Sequence, residues 1–147
     1  MAITRFAEAV WNGDLLSGSG SINYVSSGSF TRLPVTWASR TEAHDGRTSP
    51  EELIASAHAS CFSMAFSGAL ARNGTSATRL DVKAVVTFDK TDAGWRITRS
   101  DLTVRGVVPG IDAAKFAELA DGAKDGCPIS QALKGNVALS VVATLEA

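Results

Sequence analysis

Thr48-Ser49-Pro50-Glu51-Glu52-Leu53-Ile54-Ala55-Ser56-Ala57-His58-Ala59-Ser60-Cys61-Phe62-Ser63-Met64-Ala65-Phe66 is the stretch on which the reading of this chain turns. It has the start signals of a helix. Ser49 is a capping residue, Pro50 suits the first helical position, and Glu52, three residues after Ser49, completes a capping box. After Pro50, glycine and proline are absent until Gly68, and Asn73-Gly74 is a stop signal, so the helix is expected from about Pro50 to Arg72. Between Glu52 and Arg72 it carries no Asp, Glu, Lys or Arg. A helix this apolar belongs in a core or a subunit interface. It also holds one of only 2 cysteines.

Composition narrows the function classes. A chain of 147 residues with 45% hydrophobic and 20% charged residues is expected to form one domain with a real core. Its formal net charge of −1 gives no electrostatic reason to expect nucleic acid or an anionic membrane as partner. The amino-terminal residues lack the apolar run of a signal peptide, and His58, several serines and Gly68 make the long helix a poor membrane span. A cytoplasmic protein is expected. With 2 cysteines far apart and 2 histidines, no metal-binding spacing exists, and a permanent disulfide is not expected in a reducing compartment.

On either side of the helix the chain reads as strands and shorter helices. Residues 5–11 and 19–25 flank Asn12-Gly13-Asp14 as a first hairpin. Residues 29–41 read as one or two extended pieces interrupted at Pro34, and Asp45-Gly46 marks a loop into the helix. After Gly74, Leu80, Val82, Ala84, Val86 and Phe88 alternate with polar residues as in a half-buried strand. Asp92-Ala93-Gly94 turns into a second strand, Trp95 to Val107, whose apolar alternation changes phase near Ser100 and predicts a bulge. Asp112 is expected to cap a helix with Phe116, Leu119, Ala120 and Ala123 on one face. Gly126-Cys127-Pro128 opens a short helix, and Asn136 to Leu145 is a final strand. The fold class is α+β with a largely antiparallel sheet.

The cysteines raise the question of chemistry. Free cysteine is commonly plain core filling. Cys127, however, stands at a helix start, where unpaired amide hydrogens favour a thiolate, and the turn is expected to leave it exposed. Cys61 lies too deep in its helix for the dipole to act, and apolar burial raises a thiol pKa. A reactive Cys61 therefore needs a cation from elsewhere. His58, one turn earlier on the same face, is either a partner for Cys61 or a histidine satisfied by the backbone. Arg47 lies in a polar loop and is expected to be solvated. Arg40 follows the apolar Val35-Thr36-Trp37-Ala38 segment and needs a partner there, which Glu51 can supply. No phosphate loop and no G-x-S-x-G elbow are present.

These motifs together carry a family resemblance. T-S-P-E-E-L-I-A-S-A-H-A-S-C-F-S-M-A-F, the turn residues 87–95, V-P-G-I-D-A and A-K-D-G-C-P-I-S-Q-A-L-K resemble the OsmC branch of the OsmC/Ohr family, the osmotically inducible and organic hydroperoxide resistance proteins. The resemblance spans essentially the whole chain. It implies an α+β, OsmC/Ohr-like fold with largely antiparallel sheets around a long central helix, in an intertwined homodimer. It also implies a thiol-dependent peroxidase of organic hydroperoxides, and more weakly of hydrogen peroxide, acting in stress defence. No metal or organic cofactor is implied, only an external thiol reductant, with dihydrolipoyl compounds as candidates. Carried over, Cys61 is the peroxidatic thiol, Cys127 the resolving one, Glu51 the glutamate after the family's proline, and Arg40 the arginine in the OsmC-like position. Phe62, Phe66, Met64 and Phe116 are candidate apolar walls for the substrate, or else core. A different enzyme class, a hydrolase or acyl transferase with a Cys61–His58 pair, and a non-catalytic binding protein are the competing readings.

Ten residues of helix separate Glu51 from Cys61, a rise of about 15 Å. An arginine held by Glu51 is therefore poorly placed for the cysteine of its own helix. Two copies of the helix crossing antiparallel near Ser56, over the small residues Ala55, Ala57, Ala59 and Ser60, bring Glu51 of one beside Cys61 of the other. Shared active sites in a homodimer are the expectation.

Overall fold

Ser49 starts the long helix as its sequence predicts. In a computed structural model that describes residues 1–146, the Glu52 amide donates to Ser49 Oγ at 3.1 Å, and the Glu52 carboxylate accepts the Thr48 hydroxyl at 3.0 Å. The helix runs Pro50–Arg72. Its end is a Schellman motif: the Thr75 amide donates to the Leu70 carbonyl and the Gly74 amide to that of Ala71, both at 3.0 Å. Gly74 takes the left-handed φ of 81° that this cap requires.

The element order is β1 (Ala7–Asn12), β2 (Ser19–Val25), β3 (Leu33–Val35), α1 (Ala38–Thr41), α2 (Pro50–Arg72), β4 (Arg79–Thr91), β5 (Gly94–Val107), α3 (Ala113–Gly126), α4 (Pro128–Leu133) and β6 (Ala138–Glu146). The chain divides into two compact units, Met1–Leu53 and Ile54–Ala147.

In the first unit β1, β2 and β3 form an antiparallel sheet in that order. The expected first hairpin is present, and Pro34 sits in a strand of three residues at the sheet edge, where a missing amide costs no ladder bond. The extended reading of residues 29–41 fails at its end. Arg40 lies in the one-turn helix α1, because Thr36 and Ser39 bond each other reciprocally. The Thr36 amide donates to Ser39 Oγ at 3.1 Å and the Ser39 amide to Thr36 Oγ1 at 3.0 Å. The β-branched and aromatic residues of Val35-Thr36-Trp37 masked that turn.

In the second unit β4, β5 and β6 form the other sheet. β4 and β5 are a long antiparallel hairpin turning at Asp92-Ala93, with Thr91 opposite Gly94. Thr87 pairs with Arg99 and Phe88 with Ile97, so Thr98 is the extra residue of a bulge, close to the predicted phase change. The bulge puts Ser100, Leu102, Val104 and Gly106 on the buried face. β6 pairs with β5 in parallel, unlike the other three strand pairs. Return of the chain through α3 and α4 makes that direction available, since a parallel neighbour needs a long crossover.

Phe62, Phe66 and Leu70 of α2 are buried with Leu102, Val104, Phe116, Ala120 and Ala123. Phe66 and Phe116 have ring centroids 5.0 Å apart. Asp112 caps α3 as expected, accepting the Lys115 amide at 2.8 Å. A Cβ on Gly106 would lie 2.5 Å from Cζ of Phe116, a ring with no room to retreat. Gly106→Ala is therefore expected to destabilise the protein by about 1–3 kcal/mol, read as a lower urea midpoint at unchanged slope.

Candidate active site

The four residues singled out from the sequence form two pairs, one in each unit. In the second unit Cys61 and Cys127 are both free, and their thiols are neighbours within hydrogen-bonding reach. Cys127 is the single residue at the bend between α3 and α4. Its amide donates to the Ala123 carbonyl at 2.9 Å and its carbonyl accepts the Gln131 amide at 3.0 Å. Pro128 then opens α4 at its first position.

One expectation about Cys127 needs correction. It is buried, not exposed, because the bend turns its side chain inward beneath the helix pair. The start of α4 also bears on the other thiol: the Ile129 N–H is directed at the Cys61 sulfur, where it favours the thiolate. Burial raises the Cys61 thiol above its ordinary value, and the Cys127 thiol and its charge push it the same way, outweighing the Ile129 amide. None of these influences is a cation, which is what an ionised Cys61 still requires.

In the first unit Arg40 and Glu51 make a two-pronged ion pair. Arg40 Nη2 lies 2.6 Å from Glu51 Oε1 and Nε 3.2 Å from Oε2. The Glu51 side chain is 9% exposed and that of Arg40 28%, so the pair is largely shielded from water. The guanidinium also lies over the Trp37 ring, 5.5 Å from its centroid. Arg40 lines a pocket of about 310 Å³ with Trp11, Leu15, Val35, Thr36, Trp37 and Pro50. Sequence reasoning missed this pocket, since its walls come from β1, β3, α1, the first residue of α2 and the loops between them. Arg47 pairs with Asp45 on the surface, as a loop arginine should.

The candidate substrate walls divide differently. Phe62, Phe66 and Phe116 are fully buried core, while Met64 is 70% exposed. His58 is fully buried too, and its partners are side chains. Nδ1 lies 2.6 Å from Ser100 Oγ and Nε2 2.8 Å from Ser130 Oγ. Both ring nitrogens are thus engaged, and burial pushes the His58 pKa down. A neutral His58 in the native state and a solvated one in the unfolded state fix the sign of the pH effect. The unfolded chain binds the extra proton first, so stability is lost as pH falls below 6.5, the value of a free imidazole, toward the lowered native value. The midpoint of urea unfolding is expected to drop between about pH 7.5 and about pH 5.5, with His58→Gln flattening that part of the profile.

The family model described as OsmC-like protein matches residues 43–142. The peroxiredoxin OsmC of Escherichia coli (strain K12) is 43% identical over 139 residues, covering 95% of this chain and 96% of that protein. The chain belongs to the OsmC-like protein family. The organic hydroperoxide resistance protein-like protein of Staphylococcus aureus (strain MSSA476) is 30% identical over 108 residues, covering 71% of this chain and 75% of that one. The crystal structure of the organic hydroperoxide resistance protein OhrB of Bacillus subtilis has the same OsmC-like fold. Its TM-score is 0.72 at 23% identity, over 96% of this chain and 98% of that one. The OsmC-like motifs quoted above from residues 48–66 and 123–134 contain both cysteines and Glu51.

Proposed function

We propose that this OsmC-like protein is a thiol-dependent peroxidase in which Cys61 reduces an organic hydroperoxide and Cys127 resolves the product. The adjacency of the two thiols, with the Ile129 amide directed at Cys61, is the observation that carries this reading. The Cys61 thiolate attacks the distal peroxide oxygen, the O–O bond breaks, and the alkoxide takes a proton and leaves as an alcohol. Cys61 becomes a sulfenic acid. Cys127 condenses with it to a disulfide and water, and an external thiol, of dihydrolipoyl type in our reading, restores both thiols.

Arg40 supplies the missing cation. Held by both carboxylate oxygens of Glu51, it is oriented to stabilise first the thiolate and then the departing alkoxide. The apolar pocket that Arg40 lines favours organic hydroperoxides over hydrogen peroxide. In our reading Arg40 serves the thiol of a second copy in a homodimer, a reading supported by the ten-residue rise of α2 between Glu51 and Cys61. Apolar surface supports such a dimer: Met64 on α2, and Val10 and Trp11 on β1, are exposed. We place the protein in the cytoplasm, where thiols stay reduced between turnovers.

A hydrolase or acyl transferase built on Cys61 and His58 lacks its base, because His58 gives both nitrogens to serines. The deciding experiment measures consumption of tert-butyl hydroperoxide and hydrogen peroxide with a panel of thiol donors that includes dihydrolipoamide. Turnover faster with the organic peroxide is expected. Ester hydrolysis without peroxide consumption would overturn the assignment.

A further inference from the structure

The peroxidase cycle uses two thiols and an ion pair, and it leaves a buried polar knot unaccounted for. His58, Ser100 and Ser130 are 0%, 0% and 1% exposed, beside a core cluster of phenylalanine, leucine, valine and alanine and the buried Cys127. The knot joins three elements: His58 is on α2, Ser100 on β5 and Ser130 on α4. Apolar packing would let these elements slide, whereas two hydrogen bonds to one planar ring fix distance and direction.

The placement of the knot relates it to the thiols. His58 is one helical turn before Cys61 on α2, and Ser130 follows Cys127 by three residues and Ile129 by one. Thus the elements bearing the two sulfurs are tied together one turn away from each. α4 has only six residues, too few to hold its own geometry. Its amide and its cap residue stay beside Cys61 only if something anchors it.

We propose that His58, acting through Ser130, is a positioning residue for the resolving step: it holds α4 so that Cys127 meets Cys61 once Cys61 is oxidised. The proposal rests on the peroxidatic and resolving assignments made above. In that step the Cys127 sulfur attacks the Cys61 sulfenic sulfur, an S–S bond forms and the S–O bond breaks. The hydroxyl leaves with the thiol proton as water. The competing reaction is attack by the sulfenic acid on a second hydroperoxide, giving Cys61 sulfinic acid and another alcohol. A loosened α4 slows the first reaction and leaves the second untouched. The initial oxidation, which needs only Cys61, the peroxide and the arginine, keeps its rate.

Two substitutions at one position separate positioning from mere core filling. His58→Gln extends an amide to about the reach of Nε2 and keeps the Ser130 bond. His58→Asn reaches only as far as Nδ1 and keeps the bond to Ser100. The full-length variants, with Ser130→Ala, are mixed rapidly with tert-butyl hydroperoxide, quenched with an alkylating agent and weighed intact. His58→Gln is expected to close the disulfide at close to the wild-type rate. His58→Asn and Ser130→Ala are expected to oxidise Cys61 at close to the wild-type rate, close the disulfide about tenfold more slowly, and accumulate sulfinic acid. Equal slowing in His58→Gln and His58→Asn overturns the proposal, and so does unchanged closure in Ser130→Ala or a matching loss in the first oxidation. If His58→Asn fails to fold, Ser130→Ala alone decides through the same two rates. Wild-type protein that forms no Cys61–Cys127 disulfide refutes the thiol assignments instead, and needs no variant to show it.

Discussion

Cys61→Ser is expected to abolish hydroperoxide reduction, by about a thousandfold or more, while leaving the protein folded. A serine hydroxyl is scarcely ionised at neutral pH, and the peroxide oxygen yields to a polarisable thiolate that serine cannot replace. The substitution is nearly isosteric at a half-buried position, so loss of structure does not explain loss of rate. Cys127→Ser behaves differently. It should still consume one equivalent of hydroperoxide per subunit, because the first oxidation needs no second thiol, and then stop. With excess peroxide its Cys61 goes on to sulfinic acid, having no partner to trap the sulfenic acid. Mass spectrometry after one equivalent of peroxide assigns the roles. Sulfinic acid gathering on Cys127 in place of Cys61 would reverse them.

Mixing two inactive proteins is expected to restore activity. One carries Cys61→Ser; the other carries Arg40→Met with Glu51→Ala and keeps Cys61. After unfolding and refolding together, random pairing makes half the dimers mixed, and each mixed dimer has one intact site of two. Activity should return to about a quarter of the wild-type value. Glu51 is in the first turn of α2 and Cys61 ten residues on, a rise of about 15 Å, beyond the span of a guanidinium that Glu51 holds by both oxygens. Arg40→Lys alone should retain a fraction of the rate, since an ammonium keeps the charge but loses the fork. A mixture of proven heterodimers that stays inactive rules out sharing and returns the cation to the same chain.

The elements of this fold were legible wherever a local signal was unambiguous. Ser49-Pro50 and Asn73-Gly74 delimit α2 because capping and left-handed stops depend only on neighbouring residues, and the structure ends the helix at those signals. The β4–β5 hairpin and its bulge followed from period-two alternation and a break in phase. α1 was hidden because Thr36 and Ser39 make a turn among residues that also favour strands. The parallel pairing of β6 depends on where α3 and α4 return the chain, which no local pattern encodes.

The candidate site divides along the same line. Residue types and spacing identified both cysteines, Glu51 and Arg40, and the pairing of the last two was predicted from a charge that needed a partner. Family membership was likewise readable from motifs along the chain. Tertiary structure alone decided the rest. It turned Cys127 inward, aimed the Ile129 amide at Cys61, and surrounded Arg40 with Trp11, Leu15 and Trp37. It also gave His58 two serines distant in sequence, where the local reading offered Cys61 or a backbone group. A cap or a turn is settled within a few residues, so the sequence determines it directly. A thiol's surroundings or a buried imidazole's partners are set by elements packed from across the chain, and only their packing determines which groups meet.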